Sequence, residues 1–368
     1  MKLHILLLLL ILTISTFGHG QNQKPPEPET EQAVTANIGD TVPELSKSIL
    51  IVFQSTNGDY WYGSDKDGVY RFDGKTVIHF SAKDGLTGNR IRSIQEDKRG
   101  NIYFSTLDGI SKFDGHAFTT LAAIPSLFPG DHWKLQPDDL WFCMPGKNGD
   151  RGPYRFDGKN LYQLEFPKHF LADDYYKRFP NNAWSPYEVY YIYRDRKGNM
   201  WFGTSNFGVC RYDGESLSWL YEDHLTFVPN GGSFGIRSIL EDTKGKFWFC
   251  NTQYRFNISP VIRNENGKVL IRYEKEKGIE GIKSADGTNY IYFMSVLEDD
   301  RGDLWMATYN QGVWKYDGKK VTHYPIIEDS KDVTLYSIYK DRKGVLWLGT
   351  HESGAFKYNG KTFVRFKP

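Results

Sequence analysis

The sequence predicts an all-β protein, a seven-bladed β-propeller of four-stranded antiparallel blades. Three observations carry that expectation: one motif returns along the chain, its spacing is about 42 residues where the loops are short, and every copy carries a large ring in the same place. Units of this length with four strands each cannot bury their faces alone, and stacking them around an axis solves the problem.

The most regular copy is Asp195 to Gly214, DRKGNMWFGTSNFGVCRYDG. Lys197-Gly198 reads as a turn, Met200 to Thr204 as a strand, Ser205 to Gly208 as a second turn and Val209 to Tyr212 as a strand closed by Asp213-Gly214. Tyr190 to Arg194 upstream and Leu217 to Tyr221 downstream complete four strands. The other copies begin at Asn57, with Trp61 as its ring; at Glu96, with Tyr103 in the ring position; at Leu140, a degenerate copy carrying Trp141; at Glu241, with Trp248 but no closing Asp-Gly; at Glu298, with Trp305; and at Asp341, with Trp347. A face packed on another sheet wants a large flat apolar group, and Trp or Tyr adds a polar edge that can hydrogen-bond. Gly198 and its equivalents supply the positive φ of a tight hairpin.

The 368 residues include 16% aromatics, enough for a core made mostly of rings, and the formal charge of +1 shows none of the basic excess of a nucleic-acid binder. Lys2 precedes an apolar run from Leu3 to Ile14 and then Gly18-His19-Gly20, a secretory signal with processing expected after Gly20. The run is too short for a bilayer, which takes about 20 apolar residues, so no membrane span is expected after signal removal. Residues 21–46, rich in Pro, Glu and Gln, read as a flexible leader, and 47–368 as the propeller. The expected location is periplasmic or secreted. Cys143, Cys210 and Cys250 are odd in number and read as buried small side chains; Cys143 and Cys250 hold the place of Gly203.

In an up-and-down blade, the loop between the second and third strands and the crossover to the next blade share one rim of the disc. The turns between first and second strands are nearly constant here, whereas the crossovers are long and dissimilar, so ligand binding is expected on the crossover rim near the central channel. The expected ligand-binding residues are Asp65, Asp108, Trp133, Tyr175, Tyr176, Trp184, Asn206, Phe207, Tyr254, Tyr309, Asn310, Gln311 and His351. Rings beside amides and carboxylates suit a sugar, whose C–H face stacks while its hydroxyls hydrogen-bond. The alternative for any one ring is that it packs beneath a loop.

No Ser-His-Asp order, phosphate-cradling loop or metal-ligand spacing is visible, so no cofactor and no metal are expected. His351 and Glu352 are the one candidate catalytic pair, for a metal-assisted lyase or hydrolase of the streptogramin-lyase-like propeller type. A protein-interaction scaffold is the third reading.

The repeat resembles the two-component regulator propeller family. The matching residues are Gly85-Leu86, Ile94 with Glu96-Asp97, Trp201 with Gly203-Thr204, Gly208-Val209 with Arg211-Tyr212, and Leu346-Trp347 with Gly349-Thr350. The resemblance implies an extracytoplasmic sensing propeller like those of hybrid histidine kinases, many of which respond to polysaccharide fragments. The sequence closes at Pro368 just after the strand Phe363 to Phe366. The expectation is therefore a stand-alone exported binder of a small molecule or oligosaccharide, or one that serves a protein partner such as a membrane sensor.

Overall fold

The computed structural model describes residues 38–144, 152–226, 234–285 and 287–368; the expected signal sequence, most of the leader and parts of three connecting loops lie outside them. Leaving aside the two-stranded ribbon Ile327–Glu328 with Lys331–Asp332 and counting the two halves of the eight-stranded sheet separately, the sheets of the described residues form seven units. The fold is an all-β propeller.

Blade four shows how the motif builds a unit. Its strands run Val189–Arg194, Met200–Thr204, Val209–Tyr212 and Leu217–Leu220, paired antiparallel in chain order. Asp195 closes the first turn: its Oδ1 accepts from the backbone N–H groups of Lys197 and Asn199, and its Oδ2 accepts from Trp201 Nε1 at 2.9 Å. The same pairing joins Asp242 to Trp248, Asp299 to Trp305 and Asp341 to Trp347, and Tyr103 donates to Asp97 in blade two. In blade one Ser55 takes the acceptor role for Trp61. The motif thus fixes its own turn to its own buried ring. At the opposite end Thr204 Oγ1 donates to the Gly208 carbonyl and accepts from Phe207 N, and Thr308 with Gly312 and Thr350 with Gly354 repeat the donor bond.

Each ring reaches into the next blade. Trp61 packs on Phe104, Tyr103 on Phe156, Trp141 on Phe202, Trp201 on Phe247 and Trp305 on Tyr358, at centroid distances of 4.6 to 5.6 Å. Trp248 joins Leu304 and Trp314 in the core between blades five and six. Trp347 meets Tyr60 at 5.0 Å, so blade seven seals on blade one. That seam is entirely non-covalent, since both blades are continuous stretches of chain; Tyr60 donates to Asp341, Ser337 to the Leu50 carbonyl and Gln54 N to Tyr339. The small residue after each ring strand has a steric reason. A Cβ on Gly349 would sit 2.0 Å from the Leu50 carbonyl oxygen, and one on Gly203 would sit 2.4 Å from that of Ile236. Cys250 in the same place is buried, Cys143 is half-buried, and all three cysteines are free thiols.

Four differences from the sequence reading stand out. Asp40–Val42, expected within the leader, pairs antiparallel with the outer strand of blade one, because Val42 packs on the core there and the edge offers free backbone partners. Among the described residues blade three has no inner strand: Leu140–Phe142, Tyr154–Phe156 and Leu161–Glu165 pair antiparallel, and Ala123–Leu127, expected as crossover, runs parallel on the outside. The loop replacing the inner strand is held by Arg155, whose Nε meets Asp139 at 2.6 Å and whose Nη1 donates to the His132 carbonyl; both charged side chains are only 4% exposed. In blade five the last two strands lengthen to Tyr254–Glu265 and Lys268–Lys277, so the expected crossover from Glu274 begins only after Lys277. This hairpin puts a long connection on the rim expected to carry only short turns. Its register breaks between Ile258 and Ile262, and Leu270 then pairs with Trp219 on the outer edge of blade four.

Candidate functional site

The inner strands enclose a cavity of about 340 Å³ on the axis of the ring. Its lining comes from several blades and includes Arg92, Tyr190, Arg237, Met294 and Tyr336 toward the crossover rim, with Phe53, Gln95 and Tyr339 further along the strands. Because blade three lacks an inner strand, Trp141 and Cys143 line the cavity in its place. Gln95 Nε2 donates to the Trp141 carbonyl across that gap at 2.7 Å.

Local backbone geometry aims these side chains. In blades one, two, four and seven the register slips by one residue at the start of the inner strand, leaving Leu50, Arg92, Tyr190 and Tyr336 as bulged residues. A bulge re-aims one side chain without breaking the strand that follows. Arg237 and Met294 occupy the same place in blades five and six, each followed by Ser as in blades two and seven. Leu50 is buried at the seam; Arg92, Tyr190, Arg237, Met294 and Tyr336 reach the cavity. Sequence reading missed this set. The signal was a position flanked by an apolar residue and a Ser or Tyr, occupied by Arg, Tyr, Arg, Met and Tyr in turn.

Of the residues expected to bind ligand, three join this cluster. Asp65 pairs with Arg92 at 2.9 Å. His351 lies between Tyr309, at 5.8 Å between centroids, and Tyr336, at 5.5 Å, and its buried Nε2 makes no hydrogen bond among the described residues. Burial pulls the His351 pKa below the ordinary value, Asp65 draws it up, and Arg92 pushes it down again, with a net lowering. Burial raises the Tyr336 phenol. Tyr309 is 50% exposed on the rim.

The others lie elsewhere. Trp133 is core, packed on Phe166, Phe202 and Tyr212, and Phe207 is core, stacked at 4.3 Å on His169; both expectations are corrected, because each ring is drawn under its loop by the apolar cluster of blades three and four. Tyr175 and Tyr176 stand on the short helix Ala172–Arg178. Tyr175 packs on Phe207 and donates to Asn206, which is itself buried, while Trp184 is 63% exposed over the same blade. Tyr254 begins the third strand of blade five and borders a separate surface cavity with Lys277 and Tyr290. Gln311 accepts from Ser284, and Asp108, Asn310 and Glu352 are exposed. The axial cavity is the stronger candidate because it gathers charged and aromatic groups from six blades, whereas the cavity at Tyr254 is bounded by one blade and its crossover.

Among the described residues, no group of three His, Cys, Asp or Glu side chains is placed to hold a metal ion. As arranged, the mouth is a contact surface: two guanidinium groups, three phenols, an imidazole and one paired carboxylate. Hydrogen-bond donors outnumber acceptors there.

Comparison with known proteins adds the following. The family model for the two component regulator propeller matches residues 85–108, 184–206, 286–310 and 328–352. Each match runs from a crossover through the first two strands of a blade to its rim turn, in blades two, four, six and seven. No curated protein matches the sequence. Among solved structures, the extracellular domain of BT4673 from B. thetaiotaomicron, assigned to a hybrid two component system, is 20% identical over 88% of this chain with a TM-score of 0.55. This chain spans 40% of that domain's length. Virginiamycin B lyase from Staphylococcus aureus is 14% identical, covering 85% of this chain and 97% of its own, with a TM-score of 0.58. YCF48 from Cyanidioschyzon merolae is 15% identical, covering 87% of this chain and 98% of its own, with a TM-score of 0.52. At these identities the likeness is one of fold. Among the described residues, no helix is long and apolar enough to cross a membrane.

Proposed function

Because the chain carries two component regulator propeller repeats, we propose that it is an exported, non-catalytic binding propeller that takes a small polar ligand, a sugar being the first class to test, at the crossover-rim end of its axial channel. The observation that carries this reading is the set of bulged side chains. One backbone irregularity recurs at one repeat position, and its residues differ in chemistry while the scaffold around them stays constant. A rigid frame with one variable, inward-aimed position in each of five blades is how a repeat architecture supports a particular ligand. Tyr309, Tyr336 and Tyr190 offer ring faces, and Asp65 and Arg92 offer hydrogen-bonding groups. Extracytoplasmic location is supported by the sequence of residues 1–20 and by the extracellular origin of the BT4673 neighbour. A binder of this kind would act on its own or present its ligand to a membrane sensor.

The test is a glycan array followed by calorimetry on the full chain. Tyr336→Ala should weaken binding by about tenfold or more, the loss expected of one aromatic contact. Trp184→Ala should leave affinity within about twofold, since that ring lies over blade four. The reverse result would move the site away from the channel. Export has its own measurement: N-terminal sequencing of the secreted product should read from Gln21.

A further inference from the structure

The charge at the channel mouth is unevenly neutralised, and the imbalance identifies the ligand more closely. Arg92 is spoken for by Asp65, at 2.9 Å with the two side chains 15% and 31% exposed. Arg237, its counterpart in blade five, has no carboxylate within ion-pair distance among the described residues. It is nevertheless fixed. Its guanidinium lies 4.4 Å from the centroid of the Tyr190 ring and 5.8 Å from that of Phe234, and its Nε donates to the Phe234 carbonyl at 2.9 Å. Gly235 makes the shelf possible: it has φ +68°, and a Cβ there would come within 2.6 Å of the Tyr190 ring. The backbone N–H groups of Arg237 and Ser238 are turned to Cys250 Sγ, so the segment is anchored on both sides.

A guanidinium held over a ring, with Nε used and, among the described residues, the outer fork left over, is pre-organised for two parallel N–H···O bonds to a planar or tetrahedral oxyanion. Ordering costs have already been met in the folded state. The unpartnered imidazole Nε2 of His351 and the phenol of Tyr336 add polar groups at the same mouth.

We propose that the ligand of this site is an organic anion, a sugar-sized ring bearing a carboxylate or sulfate, and that Arg237 is the residue that binds the charged group. This rests on the channel-mouth reading above. The experiment is calorimetry of the full chain with glucuronate, glucose 6-sulfate and glucose, on the native protein and on Arg237→Gln, Arg237→Lys and Arg92→Gln, with circular dichroism to confirm folding. The expected result is that one or both anions bind at least about tenfold tighter than glucose. Arg237→Gln should remove that preference and Arg237→Lys should restore part of it, whereas Arg92→Gln, which alters the channel wall and leaves Asp65 unpaired, should weaken glucose and the anions together rather than abolish the preference. Which anion is preferred separates the carboxylate from the sulfate source. Equal affinity for glucose and both anions, or an anion preference that survives Arg237→Gln and disappears with Arg92→Gln, would overturn the assignment while leaving a ligand site at the channel. Tight binding of a neutral glycan that Tyr336→Ala abolishes would likewise overturn it, and binding insensitive to every channel substitution would overturn both readings.

Discussion

Asp341 shows how much one side chain does in this architecture. It accepts from Trp347 Nε1, from the Tyr60 hydroxyl across the seam, and from the turn N–H groups of Lys343 and Val345. Burial raises its pKa, but the bonds from Trp347, Tyr60 and the backbone outweigh that and hold the carboxyl below the usual range; Asp97 and Asp299 behave alike. A folded-state pKa below the unfolded one means that the unfolded chain takes up the proton first. Stability from these carboxylates is therefore full above about pH 4 and is lost as pH falls through their depressed values. Asp341→Ala should cost about 2–4 kcal/mol in urea unfolding, since it strands several buried donors at once. His169 adds a second acid effect at higher pH. Burial among Phe207, Phe170 and Trp219 pushes its pKa down to about 3, so the fold holds the ring neutral, and stability declines as pH drops below about 6.5 toward that value. His169→Phe should flatten the melting temperature between pH 6 and 4. At this scale the sequence was half legible. The ring of each motif announced both its burial and its need for an acceptor, but Trp133 and Phe207 look the same in sequence as Trp184 and Tyr309, because a ring in a loop carries no mark of which way it turns.

Strands and turns were the most readable level, and the reasons for the exceptions are local. The repeat predicts turns at Gly198 and Gly208 because only those φ values close the hairpins, and both hold. The small residue after each ring was visible as Gly, Ser, Cys or Ala, and its cause is the close approach of the next blade. Gly349→Val should therefore destabilise by more than about 2 kcal/mol, measured by denaturant unfolding, because the carbonyl of Leu50 has nowhere to move. Blade three was readable only as degenerate. Its missing inner strand follows from Pro129 and Pro137 in the stretch that would have formed it, which cannot supply a ladder of N–H donors. The Arg155 and Asp139 pair replaces that ladder, and Asp139→Ala should cost about 3–5 kcal/mol by leaving a buried guanidinium uncompensated. The bulged positions were not legible as a site, since a one-residue slip leaves the hydrophobic pattern of the strand intact on either side.

At the scale of the propeller, the chain crosses from each blade to the next at six of its seven interfaces and, among the described residues, does not cross the last, between blades seven and one. Six interfaces therefore come back together by tethered encounter. The seventh has only the attraction of its own surfaces, and its parting is the least costly way for the disc to become an open horseshoe that uncovers the axial cavity from the side. A covalent clasp across it would close a loop of nearly the whole propeller, for which chain entropy predicts about 4–5 kcal/mol or more. Hydrogen exchange should accordingly be fastest, among the inner strands, at Ile49–Gln54 and Leu335–Lys340, and a ligand seated on the axis should slow both together. The seam that closes the ring is also the place where it would first open.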